Sequence, residues 1–196
     1  MTSIEFYERN ADVFYDDTVT ADMSPIYGRF LPRVKPGGKI LDAGCGSGRD
    51  TLAFLRRGYQ VDAFDGSSEM VRRACKLTGI KVRHLLFESM VETPLAAKYD
   101  GIWCCASLLH VERDALPSVL SALRRALIPG GIMYLSFKYG EKDRVKDGRK
   151  FTDLNEEGLV QTLAMVGGCE LDDCWVTNDQ RPGRCDSWLN AIVRTV

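Results

Sequence analysis

A cluster of glycines separates an apolar run from a helical pattern early in the chain. Gly44, Gly46 and Gly48 alternate with Cys45 and Ser47. Glycine permits a tight turn and lets a ligand lie against bare backbone. The free N–H groups at the start of the following helix favour an anionic or carboxylate group. The spacing therefore predicts a loop that binds the charged part of a small ligand.

An acidic residue at the end of the second predicted strand is the other chemical signal. Asp65 lies 21 residues after Gly44, and a carboxylate there can accept hydrogen bonds from both ribose hydroxyls of a nucleoside. Dinucleotide-binding loops require their third glycine where this chain has Arg49, and a bulky side chain there blocks close approach of the pyrophosphate. The spacing therefore argues against NAD or FAD, and against a nicotinamide oxidoreductase.

Alternating strand and helix patterns must position these residues. Strands are predicted over residues 39–43, 59–64, 81–87, 99–105, 132–137, 169–176 and 187–196. Helical patterns separate most of them, which predicts a three-layer, doubly wound (Rossmann-like) α/β fold with seven strands, mostly parallel, and helices on both faces. The last two strands are joined by a loop too short for a parallel crossover, so the last strand is predicted to be antiparallel.

The segment before the first strand is predicted to be helical. Tyr7, Phe14 and Tyr15 share one face of a helix that Ser3 caps, and a second helix starts at Ser24. We predict one domain over residues 1–196, in which residues 1–36 form a helical lid over a core of residues 37–196. The alternative is that these aromatic side chains only form part of the core.

Composition narrows the classes of function. The 196 residues include 26 Lys and Arg against 27 Asp and Glu, a net charge of -1, so a global basic field for nucleic acid or a membrane is not expected. No apolar stretch is long enough to span a bilayer, and the first 20 residues show no signal-peptide pattern. Seven cysteines without metal-type spacing predict a reduced, cytoplasmic protein without a metal site.

Several segments, taken in order, resemble the class I S-adenosylmethionine-dependent methyltransferases. They are residues 42–48, 61–67, 87–90, 99–103 with 107–111, and 127–131. Within that superfamily, residues 48–55 and 58–65 are most similar to the small tellurite-resistance-type methyltransferases. The resemblance implies the fold predicted above and S-adenosyl-L-methionine as the cofactor.

The resemblance also implies roles for individual residues. Gly44 and Gly46 are expected to lie against the methionine part of the cofactor and Asp65 to hold the ribose. Asp42 is expected to orient the loop or to reach the cofactor's ammonium group through water. The other implied cofactor contacts are Tyr7, Tyr15, Gly48, Arg49, Gly66, Ser67, Met70, Glu88, Ser89, Cys105 and Ala106. Among these, Glu88 and Ser89 are expected to flank the adenine.

The acceptor side of the site is predicted from charge and position. Methyl transfer needs a general base only if the nucleophile must lose a proton, and His110 is the candidate base. The alternative is that His110 packs against the next helix. Acceptor contacts are predicted for Ser107, His110, Lys138, Arg181, Arg184 and Trp188. The cations of residues 138–150 and 181–184 predict a small, anionic acceptor; alternatively, the first of these segments is an ordinary solvated charged loop.

Two other functions remain open from the sequence. One is methyl transfer to RNA or protein, although an RNA-modifying enzyme would want a wider basic face interleaved with aromatic residues. The other is a non-catalytic cofactor-binding module that regulates a partner. The expected partner is a small molecule rather than nucleic acid or a membrane, and the chain is expected to be a monomer or homodimer.

Overall fold

The computed structural model describes residues 2–93, 95–96, 98–179 and 186–196. The strands are Lys39–Ala43 (β1), Gln60–Asp65 (β2), Arg83–His84 (β3), Tyr99–Cys104 (β4), Leu127–Lys138 (β5), Arg144–Lys146 (β6), Arg149–Phe151 (β7), Cys169–Asn178 (β8) and Ser187–Thr195 (β9). The α-helices are Ser3–Arg9 (α1), Ala11–Val19 (α2), Ser24–Phe30 (α3), Arg49–Arg56 (α4), Ser68–Thr78 (α5), Phe87–Glu92 (α6), Leu116–Ala126 (α7) and Glu156–Val166 (α8). No helix in these described stretches is both long and apolar enough to cross a membrane.

The central sheet has seven strands in the order β3-β2-β1-β4-β5-β9-β8. The first five strands in this order, from β3 across the sheet to β5, pair with their neighbours in parallel. Strand β9 runs antiparallel to both β5 and β8. This confirms the predicted fold, including the antiparallel last strand. The central strands β1 and β4 are almost entirely buried because helices cover both faces of a parallel sheet.

Two apolar layers flank the sheet. On one face, Tyr27 and Phe30 of α3 and Phe54 of α4 pack around Trp103. On the other face, the apolar sides of α7 and α8 meet the sheet through residues such as Leu120. The spacing of apolar residues along these helices places one side of each against the strands, so the carboxyl ends of the strands are held at one rigid edge.

The third strand is much shorter than the sequence pattern predicts. Only Arg83 and His84 pair with β2, and Phe87 begins α6 instead of ending the strand. The prediction of a strand over 81–87 was therefore wrong in its extent, because a continuous apolar run does not separate a strand from the first turn of a helix. Glu88 and Ser89 consequently lie on a helix.

The basic segment between residues 138 and 150 contains a β-hairpin rather than a loop. Strands β6 and β7 pair antiparallel, with Lys146 opposite Arg149. Asp147 and Gly148 join them with φ angles of 53° and 75°, as a two-residue type I′ turn requires. The hairpin is anchored on the main fold by Thr152, whose N–H donates to the Leu109 carbonyl at 2.8 Å.

Before Ser24, the chain forms two helices, α1 and α2, where the sequence predicted a single helix. The chain turns at Asn10 between α1 and α2. Thr2, rather than Ser3, caps α1: its hydroxyl accepts from the Glu5 N–H, and the Glu5 carboxylate accepts from the Thr2 N–H. This reciprocal capping box fixes the start of the helix one residue earlier than predicted.

Candidate functional site

A cavity of about 750 Å³ opens at the carboxyl edge of the sheet. Its floor is formed by the segments that follow β1, β2, β4 and β5, and its roof by α1, α2 and the β6–β7 hairpin. Ligands of open α/β sheets bind outside this edge, where the strand order reverses and the connections that follow neighbouring strands leave a crevice; here the reversal lies between β1 and β4. The cavity is therefore the candidate functional site.

The glycine loop forms one wall of the cavity with bare backbone. Gly44 and Gly46 have φ angles of 75° and 53°, a conformation that side chains rarely adopt. A Cβ atom at Gly44 would lie 2.5 Å from the Cβ atom of Ser107. Ser107 cannot easily move away, because its hydroxyl donates a 2.7 Å hydrogen bond to the Ala43 carbonyl. Both the backbone angle and the space therefore require glycine at position 44.

The carboxylate of Asp65 lies beside this loop and lines the cavity. One oxygen accepts from the Gly46 N–H at 2.8 Å and the other from the Ser67 N–H at 2.9 Å. Burial raises the pKa of Asp65, although the backbone hydrogen bonds oppose this shift. These bonds fix the carboxylate, and each oxygen keeps a further lone pair with which to accept from a ligand hydroxyl.

A largely buried ion pair lines part of the cavity. Arg49 donates two hydrogen bonds to Asp50, at 2.6 and 2.8 Å. Tyr27 and Trp103 also donate to this carboxylate. Burial opposes the charge on Asp50, but Arg49 and the other donors outweigh it and hold the pKa of Asp50 below its usual value. Arg49, which lines the cavity, is thus fixed in place as a charged group.

The turn after β4 brings strained backbone to the cavity. Ala106 has a φ angle of 52°, a left-handed conformation that costs a non-glycine residue about 1–2 kcal/mol. Its N–H donates to the Ser136 hydroxyl at 2.8 Å, which holds the turn in place. Cys105, beside it, is half-buried, and desolvation together with the nearby Asp50 carboxylate raises the pKa of the thiol to about 12. The turn therefore presents a neutral thiol and a fixed backbone to the ligand.

Helices α1 and α2 cover the opposite side of the cavity. A Cβ atom at Gly46 would lie 3.4 Å from the ring of Phe14, and one at Gly66 would lie 3.2 Å from Ile4. The Glu8 carboxylate accepts hydrogen bonds from the N–H and hydroxyl of Ser68 at the start of α5. These contacts tie the N-terminal helices to the loops that face the cavity.

His110 joins this roof to the main fold. Its Nε2 atom lies 2.8 Å from the hydroxyl of Tyr7, and its Nδ1 atom lies 3.2 Å from the Ser3 hydroxyl and 3.3 Å from the Lys150 carbonyl. Burial, with a smaller contribution from the positive charge of Arg149, lowers the pKa of His110 to about 4. The imidazole is therefore neutral at physiological pH.

Lys138 is buried at the far end of the cavity and is already paired. Its ammonium group lies 2.8 Å from Asp186, 3.3 Å from Asp179 and 3.9 Å from the centre of the Trp188 ring. Burial lowers the pKa of Lys138, and the two carboxylates partly offset that shift. Since its charge is balanced within the protein, Lys138 contributes less attraction for an anion than the sequence suggested.

Arg149, one of the cations of residues 138–150 that the sequence linked to an anionic acceptor, lines the cavity. Strand β7 places its guanidinium 3.9 Å from the ring centre of Phe6, and one terminal nitrogen lies 3.5 Å from the Asp147 carboxylate. The Nε atom is buried and has no hydrogen-bond partner among the described residues. An unpaired buried donor is costly, so this position favours a ligand that accepts a hydrogen bond.

Most of the predicted site residues meet in the cavity. Those that line it are Tyr7, Gly44, Gly46, Arg49, Asp65, Gly66, Ser67, Met70, Glu88, Cys105, Ala106, Ser107, His110, Lys138 and Trp188. Lining residues that the sequence did not assign to the site include Phe6, Phe14, Tyr134, Ser136 and Asn190. Arg181 and Arg184 lie outside the described residues.

Four predicted cofactor contacts do not line the cavity. They are Tyr15, Asp42, Gly48 and Ser89. Asp42 is buried behind the loop and accepts a 2.6 Å hydrogen bond from Thr51. A Cβ atom at Gly48 would meet α5 at 3.0 Å, so this glycine serves helix packing. Tyr15 faces Arg73 of α5.

Comparisons with known proteins identify the family of the chain. A family model described as a methyltransferase domain matches residues 15–161. Ubiquinone biosynthesis O-methyltransferases are 31% identical over 107 residues in Psychrobacter arcticus and 36% identical over 105 residues in Pseudomonas aeruginosa. Each match covers 51% of this chain, and 40% and 44% of those proteins, so the chain spans less than half the length of these curated relatives.

A solved structure shows the same fold along nearly the whole chain. It is the 1,6-didemethyltoxoflavin-N1-methyltransferase of Burkholderia thailandensis with S-adenosylhomocysteine bound. The TM-score is 0.76 at 24% sequence identity, and the match covers 98% of this chain and 85% of that one. This likeness establishes the fold. The finer similarity to tellurite-resistance-type enzymes is not confirmed by these relatives.

Proposed function

Because this chain belongs to the methyltransferase-domain family, we propose that it transfers a methyl group from S-adenosyl-L-methionine to a small, anionic acceptor. The observation that carries this proposal is the pairing of a backbone-lined glycine loop with the Asp65 carboxylate in one cavity. Together they match the two polar ends of the cofactor, its amino-acid tail and its ribose.

The residues present fit the cofactor. Gly44 and Gly46 leave a backbone surface that a Cβ atom would fill, where the amino-acid tail can lie. The carboxylate of Asp65 is held by two backbone N–H groups and can still accept from the ribose hydroxyls. Phe14 and Tyr7, on the N-terminal helices, exclude water from the other side. When bound, the cofactor supplies an activated methyl group on a cationic sulfur.

The proposed anionic character of the acceptor rests on Arg149 rather than on Lys138. Lys138 is neutralised by Asp179 and Asp186, whereas the buried Nε atom of Arg149 lacks a hydrogen-bond partner among the described atoms. A carboxylate on the acceptor would satisfy this donor and pair with the guanidinium. Because Arg149 contacts Phe6 of α1, the acceptor is expected to bind under the N-terminal helices.

Calorimetric titration with S-adenosylhomocysteine tests the cofactor part of the proposal. Replacing Asp65 by Ala removes the carboxylate from the cavity, and we expect the dissociation constant to rise by about 10-fold to 100-fold, since a hydrogen bond to a charged group contributes about 1.5–3 kcal/mol. The matched control is Asp62→Ala on the same strand, where the carboxylate pairs with Lys39 and Lys98 instead. Equal affinities for the two variants, or no binding by the folded wild-type protein, would contradict the proposal.

Two acceptors that differ in charge test whether the acceptor is anionic. Methylation of protocatechuate, a catechol with a carboxylate, is compared with that of neutral catechol. We expect Arg149→Met to raise KM for protocatechuate while leaving the KM for catechol unchanged. Lys150→Met is the control, because the Lys150 ammonium group is exposed and pairs with Glu112. The same KM change for both acceptors would show that Arg149 does not bind the acceptor's carboxylate.

A further inference from the structure

We propose that Tyr7 and His110 form a proton relay for the acceptor, which is therefore a molecule whose nucleophilic oxygen or nitrogen carries a proton at neutral pH. This inference rests on the proposed methyl transfer and names the class of acceptor. It also gives Tyr7 a catalytic position, whereas the sequence resemblance assigned this residue only to covering the cofactor.

We assign the proton of His110 to Nδ1 from its two partners there. The Lys150 carbonyl, 3.3 Å away, can only accept, and the Ser3 hydroxyl, 3.2 Å away, can accept from the same N–H. The Nε2 atom is then an acceptor, and the hydroxyl of Tyr7 donates to it across 2.8 Å. The phenol is thus aligned to pass its proton to the imidazole, and a phenol oxygen can accept a hydrogen bond while it donates one.

Both members of the pair line the cavity, although they come from distant parts of the chain. Tyr7 lies on α1, 103 residues before His110 on the turn that follows β4. Phe151 packs on the other side of the imidazole, with ring centres 5.1 Å apart. A buried, neutral imidazole with a perturbed pKa and a bound hydroxyl, both at the wall of a ligand cavity, is an arrangement typical of groups that move protons.

The groups around His110 keep it neutral, which is the form that can accept a proton. Arg149 of β7 contributes to the low pKa of His110, which is about 4 in the protein without an acceptor. Lys150 and Glu112 form an exposed ion pair farther out, and Tyr7 of α1 is the titratable group in direct contact. An acceptor carboxylate paired with Arg149 would cancel that positive charge and strengthen His110 as a base.

The relay gives each proton and electron pair of the methyl transfer a place to go. The acceptor's O–H or N–H bond breaks as its new bond to the methyl carbon forms, and the electrons of the broken S–CH₃ bond remain on sulfur. The acceptor's proton passes to the Tyr7 oxygen while the Tyr7 proton passes to Nε2 of His110. His110 then holds one additional proton, stabilised by the Lys150 carbonyl, and releases it to solvent. Acceptors that are already ionised, such as thiolates and metalloid oxyanions, do not need this pathway.

A pair of acceptors that differ in this requirement tests the relay. At neutral pH protocatechuate must lose a phenolic proton, whereas 5-thio-2-nitrobenzoate, which also carries a carboxylate, is already a thiolate because its nitro group acidifies the thiol. With Tyr7→Phe we expect kcat for protocatechuate to fall by about 100-fold or more, with kcat for 5-thio-2-nitrobenzoate and the affinity for S-adenosylhomocysteine unchanged. The matched control is Tyr15→Phe, which removes the same hydroxyl from a residue outside the cavity.

A spectroscopic measurement supplies a readout besides activity. The chain has two histidines, so nitrogen NMR of the complex with S-adenosylhomocysteine can resolve both. We expect His110 to be neutral with its proton on Nδ1, and its Nε2 signal to shift in Tyr7→Phe but not in Tyr15→Phe. A proton on Nε2, or equal losses with both acceptors, would overturn the relay. Methylation of neither acceptor by wild-type protein that binds S-adenosylhomocysteine would overturn the acceptor class, whereas loss of that binding would overturn the proposed function itself.

Discussion

Replacing Gly44 by Ala is the most direct test of how the loop is built. The substitution adds one methyl group at a φ angle of 75°, 2.5 Å from the Cβ atom of Ser107. Gly79 provides an unusually close control because its φ angle is also 75° and no atom lies within 4 Å of the place that a Cβ atom would occupy. The two alanine variants therefore share the backbone strain, and only the variant at Gly44 adds the steric conflict.

The expected losses in the free energy of unfolding follow from the backbone strain and the steric conflict. Left-handed strain costs an alanine about 1–2 kcal/mol, and this is the expected loss in the free energy of unfolding for Gly79→Ala. Forcing a methyl group into a packed site costs a further 1–3 kcal/mol or so, which gives about 2–5 kcal/mol for Gly44→Ala. Relief should come from Ser107→Gly, which removes the opposing Cβ atom, so the double variant should be more stable than additivity predicts.

Urea unfolding measures the stability terms, and calorimetry with S-adenosylhomocysteine measures the consequence for binding. We expect Gly44→Ala to lose detectable affinity while Gly79→Ala keeps the wild-type value, since Gly79 ends α5 away from the cavity. If the two variants were equally stable and bound equally well, the close approach of Gly44 to Ser107 would not be what shapes the loop.

Three further predictions concern the turn after β4, pH and the N-terminal helices. Ala106→Gly relieves a left-handed residue, and urea unfolding should show a gain of up to about 1 kcal/mol; a loss would contradict the strain. The pKa of His110 is lowered from 6.5 to about 4 by folding, so below pH 6.5 the unfolded chain binds more protons. Stability should then fall by about 3 kcal/mol as the pH drops from 6.5 to 4, and His110→Gln should flatten the pH profile of urea unfolding. Glu8→Ala removes the carboxylate that accepts from Ser68 and should speed proteolysis of residues 1–25, with S-adenosylhomocysteine slowing it; unchanged cleavage would mean that this contact does not hold the helices.

The features that could be predicted from the sequence are local ones. The strand, the glycine loop and the following helix are contiguous in sequence, and Asp65 ends the next strand, so spacing alone is enough to bring them together. The antiparallel β9 followed from the length of one connection. The role of Gly48 was harder to predict, because a glycine that packs against a helix and one that faces a ligand look the same in sequence.

The acceptor side of the cavity could not be predicted from local spacing, because the residues that form it are far apart in the chain. Tyr7 and His110 are brought together by the way α1 crosses the edge of the sheet, which no local pattern encodes. The hairpin that carries Arg149 did leave a signal: Asp147 and Gly148 form a sequence typical of a tight turn between two short strands. The many charges around them left an acceptor-binding segment and an ordinary solvated loop both open.

The β6–β7 hairpin has a consequence for how specificity can change. Its two short strands pair with each other rather than with the central sheet, yet Arg149 and Phe151 reach the cavity from it. A segment with its own turn and its own backbone hydrogen bonds between strands can be lengthened, shortened or exchanged without disturbing the register of the seven main strands. Natural divergence or directed evolution could thus produce a new choice of acceptor here while the donor half of the enzyme stays intact.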